Sequence, residues 1–298
     1  MAILLAHGNP EVELLAITTV AGNQTLDKTT LNARRVCTVA GITDVPIAAG
    51  CDRPLMRRLV TASEIHGESG LDGPSFGEPT VPLCDRHAVD LIVDLVMSSD
   101  RDITLVPTGP LTNIAMALRH EPRLGSQVRE MVLMGGAYTR GNQTPAAEFN
   151  IAVDPEAAAM VFEAGWPLTM VGLDLTHQAL ATQAVSDRIA ALGTPVSQMV
   201  VDLLTFYRNT NKEESGFDAP PVHDPCAVAR VIRPDVVRCV DAFVAIETKG
   251  QWTSGMTVTD FRGTLRQPPN AQVATTLDCD GFWDLMLDAL KRIGSPSE

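Results

Sequence analysis

The chain has 298 residues, 45% hydrophobic and 20% charged, with a formal net charge of −13. That length suits one large α/β domain with a core that needs no staples. The acidic balance repels phosphate backbones and anionic lipid, which argues against nucleic acid or a membrane surface as partner. No apolar run reaches the roughly 18 residues that a membrane span needs. The six cysteines (Cys37, Cys51, Cys84, Cys226, Cys239 and Cys279) form no C-x-x-C pair and suit no zinc spacing. They read as free thiols of a reducing cytoplasm. The first residues, MAILLAHGNPEVE, show neither a basic n-region nor a small-residue cleavage site, so no signal peptide is read.

In chain order, short apolar runs alternate with amphipathic ones. Residues 2–6 (AILLA) read as the end of a helix stopped by Gly8 and Pro10. Such a short helix is a poor start for a parallel sheet, so a first strand and its following loop are expected upstream of Met1. Residues 13–20 (ELLAITTV) read as a buried strand, 26–40 as a helix and 45–49 as a short strand. A helix is expected over 87–98, a strand over 103–107, a helix over 111–119 and a strand over 128–134. A helix over 155–164, a strand over 168–175 and a helical stretch over 186–214 come next. Another helix begins after His223, residues 240–247 and 257–261 form antiparallel strands, and 282–293 closes the chain as a helix. Strands alternating with helices imply parallel βαβ units. The expected architecture is one α/β domain over residues 1–298, a mostly parallel, Rossmann-like central sheet flanked by helices.

In such sheets ligands bind beyond the carboxyl ends of the strands. Here the corresponding turns are 21–24, 108–110, 135–137 and the loop 142–154, and polar residues gather in them. The densest run is Gly141-Asn142-Gln143-Thr144-Pro145-Ala146-Ala147-Glu148-Phe149-Asn150. Amides and a carboxylate this close suit a ligand with several hydroxyls, such as a sugar. Asp154, just before Pro155, reads as a helix N-cap instead. His223 stands beside Asp224 at a helix start, and an imidazole there can pass a proton to a leaving nitrogen.

The segments Asn9-Pro-Glu-Val-Glu-Leu-Leu-Ala-Ile-Thr-Thr-Val-Ala-Gly-Asn23, Pro107-Thr-Gly-Pro-Leu-Thr-Asn113, Met134-Gly-Gly, Ala147-Glu-Phe-Asn150, Asp154-Pro-Glu and His223-Asp-Pro resemble the inosine–uridine preferring nucleoside hydrolases. The likeness runs from residue 1 to the Phe282-Trp-Asp-Leu helix. It implies a calcium-dependent ribonucleoside N-glycosidase of nucleoside salvage, a cytoplasmic homodimer or homotetramer acting on a small-molecule substrate.

The resemblance also implies roles. Thr108, through its carbonyl, and Asp224 match calcium ligands, and oxygen donors suit that ion. Asn23, Asn142, Glu148 and Asn150 match ribose-binding residues, with Met134 and Phe149 lining the sugar site. His223 matches the group that protonates the leaving base. The run His66-Gly-Glu-Ser-Gly70-Leu-Asp72-Gly73 resembles the family's mobile loop near the base, where His66 is expected to touch the ligand. Tyr207 or Phe217 is a candidate to stack on the base, while Asp174 and His177 carry no assigned role.

The family's aspartate-rich D-x-D-x-x-x-D-D segment has no counterpart here, since no Asp precedes Asp27. The chain as numbered is therefore expected to be impaired in turnover. Three alternatives compete: a non-catalytic nucleoside binder, a truncated gene product, and a phosphate-binding α/β enzyme. The last is disfavoured, because no G-x-x-x-x-G-K-[ST] run occurs.

Overall fold

The structure, a computed structural model, describes residues 1–215 and 219–294. Phe217 lies outside the described residues. Among the described residues there are eight strands: β1 (Ile17–Thr19), β2 (Ile47–Ala49), β3 (Thr104–Leu105), β4 (Glu130–Met134), β5 (Leu168–Val171), β6 (Val237–Ile246), β7 (Thr257–Asp260) and β8 (Ala271–Leu277). β1 and β2 pair in parallel as a small sheet of their own. The larger sheet runs β3-β4-β5-β8-β6-β7. Its first three pairings are parallel, whereas β6 runs antiparallel to both β8 and β7. The mostly parallel α/β architecture expected from the alternating pattern is therefore present, and so is the antiparallel pair near the C-terminus.

β4 shows why this sheet is buried on both sides. Side chains alternate along a strand. Met131 and Leu133 enter one core with Met170, Ile151 and Trp166, whereas Val132 and Met134 enter the other with Leu4, Phe282 and Met286. A strand covered on both faces has no polar stripe, as parallel strands between helix layers require.

Two expectations are corrected. The run 168–175 does not continue as a strand, because Gly172 breaks it and Leu173–Thr176 turns into a short helix. β8 is absent from the elements expected from the sequence. Its residues, AQVATTL, are weakly apolar, and only the pairing with β5 and β6 on either side makes it a strand.

Between β1 and β3 the strand ends are joined by side chains rather than by a ladder. Asn113 donates from Nδ2 to the Thr19 carbonyl (2.9 Å) and accepts the Cys51 N–H at Oδ1 (2.8 Å). It thereby ties the ends of β1 and β2 to the helix Thr112–His120 that follows β3. Asp154 makes a second cross-link. It caps the helix Pro155–Phe162 through the Ala157 N–H, as expected from its place before Pro155. It also accepts from the Leu55 N–H (2.9 Å) and the Thr112 hydroxyl (2.6 Å).

Asp154 is fully buried, so Asp154→Ala would strand three donors away from water. The expected loss is about 3 kcal/mol or more, read as a lowered urea midpoint. A loss below about 1 kcal/mol would show that water or neighbouring groups replace the carboxylate.

Candidate active site

The carboxyl ends of β1, β3, β4 and β5 open onto a cavity of roughly 640 Å³, within the range of small-molecule sites. The ten residues matched to metal, sugar, base or proton-transfer roles line it (Asn23, His66, Thr108, Met134, Asn142, Glu148, Phe149, Asn150, His223 and Asp224), and so does Tyr207. They are scattered through most of the chain and are brought together by the fold alone.

The floor is built at the end of β4. Gly136 has φ +78°, and a Cβ there would press on the Met170 sulfur at 2.9 Å, so only glycine takes this turn without strain. The turn aims its own N–H at Glu148 Oε2 (3.0 Å), which also accepts the Ile151 N–H (3.1 Å). Glu148 is thus the N-cap of the short helix Phe149–Val153, and its carboxyl is buried. Burial pushes its pKa up to about 7, while the backbone N–H groups of Asn150, Gly136 and Ile151 resist the rise and Asp224 adds to it. Near neutrality this carboxyl can both donate to and accept from a hydroxyl.

Asn150 binds the strand ends together. Its Nδ2 donates to the Met134 carbonyl (3.0 Å) and, at 3.4 Å, faces both the Thr108 carbonyl and the Met134 sulfur. Asn142 sits at the exposed rim and accepts the Phe149 N–H at Oδ1 (2.9 Å). The loop that carries it closes tightly, since a Cβ on Gly141 would lie 2.1 Å from the Ala147 carbonyl oxygen. Phe149 packs with Ala62 and Val153 below the cavity wall.

The opposite wall carries the histidines. His223 precedes the helix Asp224–Ile232 and makes no side-chain cap bond, which leaves its ring for the cavity. Its Nδ1 lies 2.7 Å from the Thr176 hydroxyl, and its ring meets His177 edge-on with centroids 5.8 Å apart. Burial, reinforced by His177 and His66, lowers its pKa to about 3. This changes the sequence-based picture of an imidazole titrating near neutrality: in this cavity His223 is a neutral ring with one N–H to give. His66 stacks on Tyr207 at 5.6 Å, and burial holds its pKa near 4 despite the opposing charge of Glu64. The loop carrying His66 is not simply irregular, because Ser63–His66 forms one helical turn. Gln24 anchors the next two residues by donating to the Gly67 and Glu68 carbonyls.

Asp224 opens its helix, and burial raises its pKa to about 6 against the pull of the Met1 amino group. Its carboxylate and the Thr108 carbonyl are oxygen donors of the type calcium prefers. They do not complete a cage for that ion. Among the described residues no group of three or more His, Cys, Asp or Glu could hold a metal ion.

Thr176 and His177 have no role that the sequence alone assigns. Their one signal is position: they come after β5, at the same rim as the other turns.

Comparison with known proteins agrees with this geometry. The family model for the inosine-uridine preferring nucleoside hydrolases matches residues 1–284. Inosine-uridine preferring nucleoside hydrolases of Crithidia fasciculata and Leishmania major are each 55% identical over 298 residues, covering 99% of this chain and 95% of theirs. The pyrimidine-specific ribonucleoside hydrolase RihA of Escherichia coli is 46% identical over 292 residues, covering 98% and 94%. Among solved structures, the purine-preferring ribonucleoside hydrolase from Gardnerella vaginalis superposes with a TM-score of 0.93 at 30% identity, covering 99% and 95%. The chain belongs to the inosine–uridine preferring nucleoside hydrolase family.

Glu148 yields a stability prediction with a definite sign. Its folded pKa of about 7 lies above its ordinary value of 4.5, so the native state holds this proton more tightly than the unfolded one. The stability this lends is fully present below about pH 4.5 and is lost as the pH rises to about 7. Glu148→Gln has no such proton. In metal-free buffer its stability relative to the parent should rise across that window, by up to roughly 3 kcal/mol. A difference that stays flat with pH in denaturant titrations would contradict a carboxyl whose proton is held by burial.

Proposed function

We propose that the cavity hydrolyses the N-glycosidic bond of ribonucleosides, giving free base and ribose for salvage. The observation that carries the reading is convergence: three asparagine amides, a buried carboxyl and a neutral imidazole meet in one cavity at the carboxyl ends of parallel strands. Membership of a nucleoside hydrolase family over residues 1–284 supports the same reaction.

Glu148, Asn142, Asn150 and Asn23 grip the ribose hydroxyls. As the bond between the anomeric carbon and the base nitrogen breaks, its electron pair leaves with the base and positive charge grows on the sugar. Hydrogen bonds to the hydroxyls that strengthen with this charge favour the transition state over the bound substrate. Water adds to the anomeric carbon and loses a proton, and the departing base gains one. His223 gives its N–H to the base on that side. Met134 and Phe149 line the sugar's apolar face, and His66 with Tyr207 walls the base.

The reading includes calcium dependence. Thr108, through its carbonyl, and Asp224, through its carboxylate, would hold the ion, which when bound would polarise an attacking water. Held in the same cavity as the nucleoside, the ion would raise the affinity for nucleoside. A cytoplasmic homo-oligomer also fits. The six thiols are free, as a reducing compartment keeps them, and Trp252 and Met56, about four-fifths exposed, are available for a subunit contact.

Two experiments test this. In calorimetry with inosine or uridine and millimolar calcium, the chain should bind nucleoside, and Asn150→Ala should weaken binding about tenfold or more. No heat with either nucleoside would remove the proposal, whereas binding with no base release at all would favour a non-catalytic binder. Asp224→Asn should abolish the gain in nucleoside affinity that calcium brings to the parent. If that gain persists unchanged, the ion is held elsewhere.

A further inference from the structure

We infer that Thr176 is a positioning residue that holds His223 as its Nε2–H tautomer, so that the ring presents its only proton to the cavity. The inference builds on the proposed role of His223 toward the leaving base, but the geometry behind it is separate.

The Thr176 hydroxyl lies 2.7 Å from His223 Nδ1, and Thr176 has no exposed surface. A buried hydroxyl needs an acceptor for its hydrogen, and stranding one costs about 1–3 kcal/mol. Among the described hydrogen bonds, the partner of Thr176 Oγ1 is His223 Nδ1. If the hydroxyl donates, Nδ1 must be the unprotonated nitrogen, and the ring proton sits on Nε2. If Nδ1 donated instead, the threonine hydrogen would be left buried without an acceptor. The other ring nitrogen would then face the cavity as an acceptor, useless for giving a proton to a leaving base.

The two residues are fixed against each other by backbone. Residues 179–181 lie antiparallel to 220–222, through Ala181 N–H to the Pro220 carbonyl (2.9 Å) and Val222 N–H to the Ala179 carbonyl (3.0 Å). Gln178 pins the first segment to the sheet. Its Nε2 donates to the Thr275 carbonyl (2.9 Å), and its Oε1 accepts the Leu277 N–H (3.0 Å). The hydroxyl and the imidazole thus approach each other from two segments that cannot slide apart without breaking this antiparallel bridge. This is how an orienting group fixes which nitrogen of a catalytic histidine carries the proton. No part of the arrangement requires Thr176 to touch the nucleoside.

The test is a ¹⁵N-histidine spectrum of the full chain at neutral pH, with His223→Gln to assign the resonance. In the parent, Nδ1 of His223 should resonate as unprotonated and Nε2 as protonated. In Thr176→Val the two signals should move toward each other as the tautomers mix, and Thr176→Ser should restore the parental pattern. A parent spectrum with Nδ1 protonated overturns the inference, as does a Val variant with the parental pattern. The parent spectrum alone decides the point if the Val variant does not fold. Base release from inosine is a second readout: kcat should fall roughly tenfold in the Val variant and recover in the Ser variant, with KM nearly unchanged. An equal rise in KM would mean a general disturbance of the site and would count against a positioning role. The spectral outcome stands whether or not inosine is hydrolysed, so failure of this inference is distinguishable from failure of the functional reading.

Discussion

The cavity depends on how the strand ends are held where no ladder holds them. β1 and β3 are not partners among the described residues, so the rim between them rests on side-chain amides. Asn113 joins β1 and β2 to the helix after β3, and Asn150 draws the Thr108 and Met134 carbonyls to a single amide nitrogen. An amide can do this because it carries donor and acceptor on one rigid group. The cost is that these groups are buried and must be fully satisfied. That requirement fixes their neighbours: Gly50 next to Asn113 would place a Cβ 2.2 Å from its oxygen, so no larger residue fits there.

Burial also decides the electrostatics. The same desolvation that raises Glu148 and Asp224 lowers His223 and His66, because each shift removes charge from the cavity. The cavity therefore tends toward neutral groups that offer both donors and acceptors. That suits a polyhydroxyl ligand, which needs many hydrogen bonds and no counter-charge. It also suits a transition state that is more positive than the substrate, because Glu148 and Asp224 become charged more readily once a cation or cationic sugar enters.

Much of this was legible in the sequence, for identifiable reasons. Turns after apolar runs marked the sheet rim, and polar residues crowded into those turns had few purely structural explanations. Glu148 and Asn150 stood out because, with Asn142, they put amides and a carboxylate into one short loop after a strand, and the proline after Asp154 marked that residue as a cap. β8 was hidden because alanine, glutamine and threonine give little alternation, and its strand character comes from neighbours far away in the chain. Leu173–Thr176 was hidden because its leucines prolonged the apolar rhythm of β5, although Gly172 was there to mark the break.

Thr176 shows the limit most clearly. A threonine after a strand has no distinctive chemistry, and nothing local distinguishes it from Thr169 or Thr205. Its importance comes from the short helix that the strand was not expected to form. Had 168–175 continued extended, residue 176 would project beyond the rim by the rise of a strand, about 3.3 Å per residue, instead of folding back at about 1.5 Å. The turn of helix shortens the path and brings the hydroxyl under the imidazole. A misjudged secondary structure and a missed site residue thus have one physical cause, the glycine at 172. A Cβ there would lie 2.7 Å from the Gly136 carbonyl oxygen, beside the turn that aims its N–H at Glu148. The two walls of the cavity, one carrying Glu148 and the other His223, therefore meet at a single close approach of backbone to backbone.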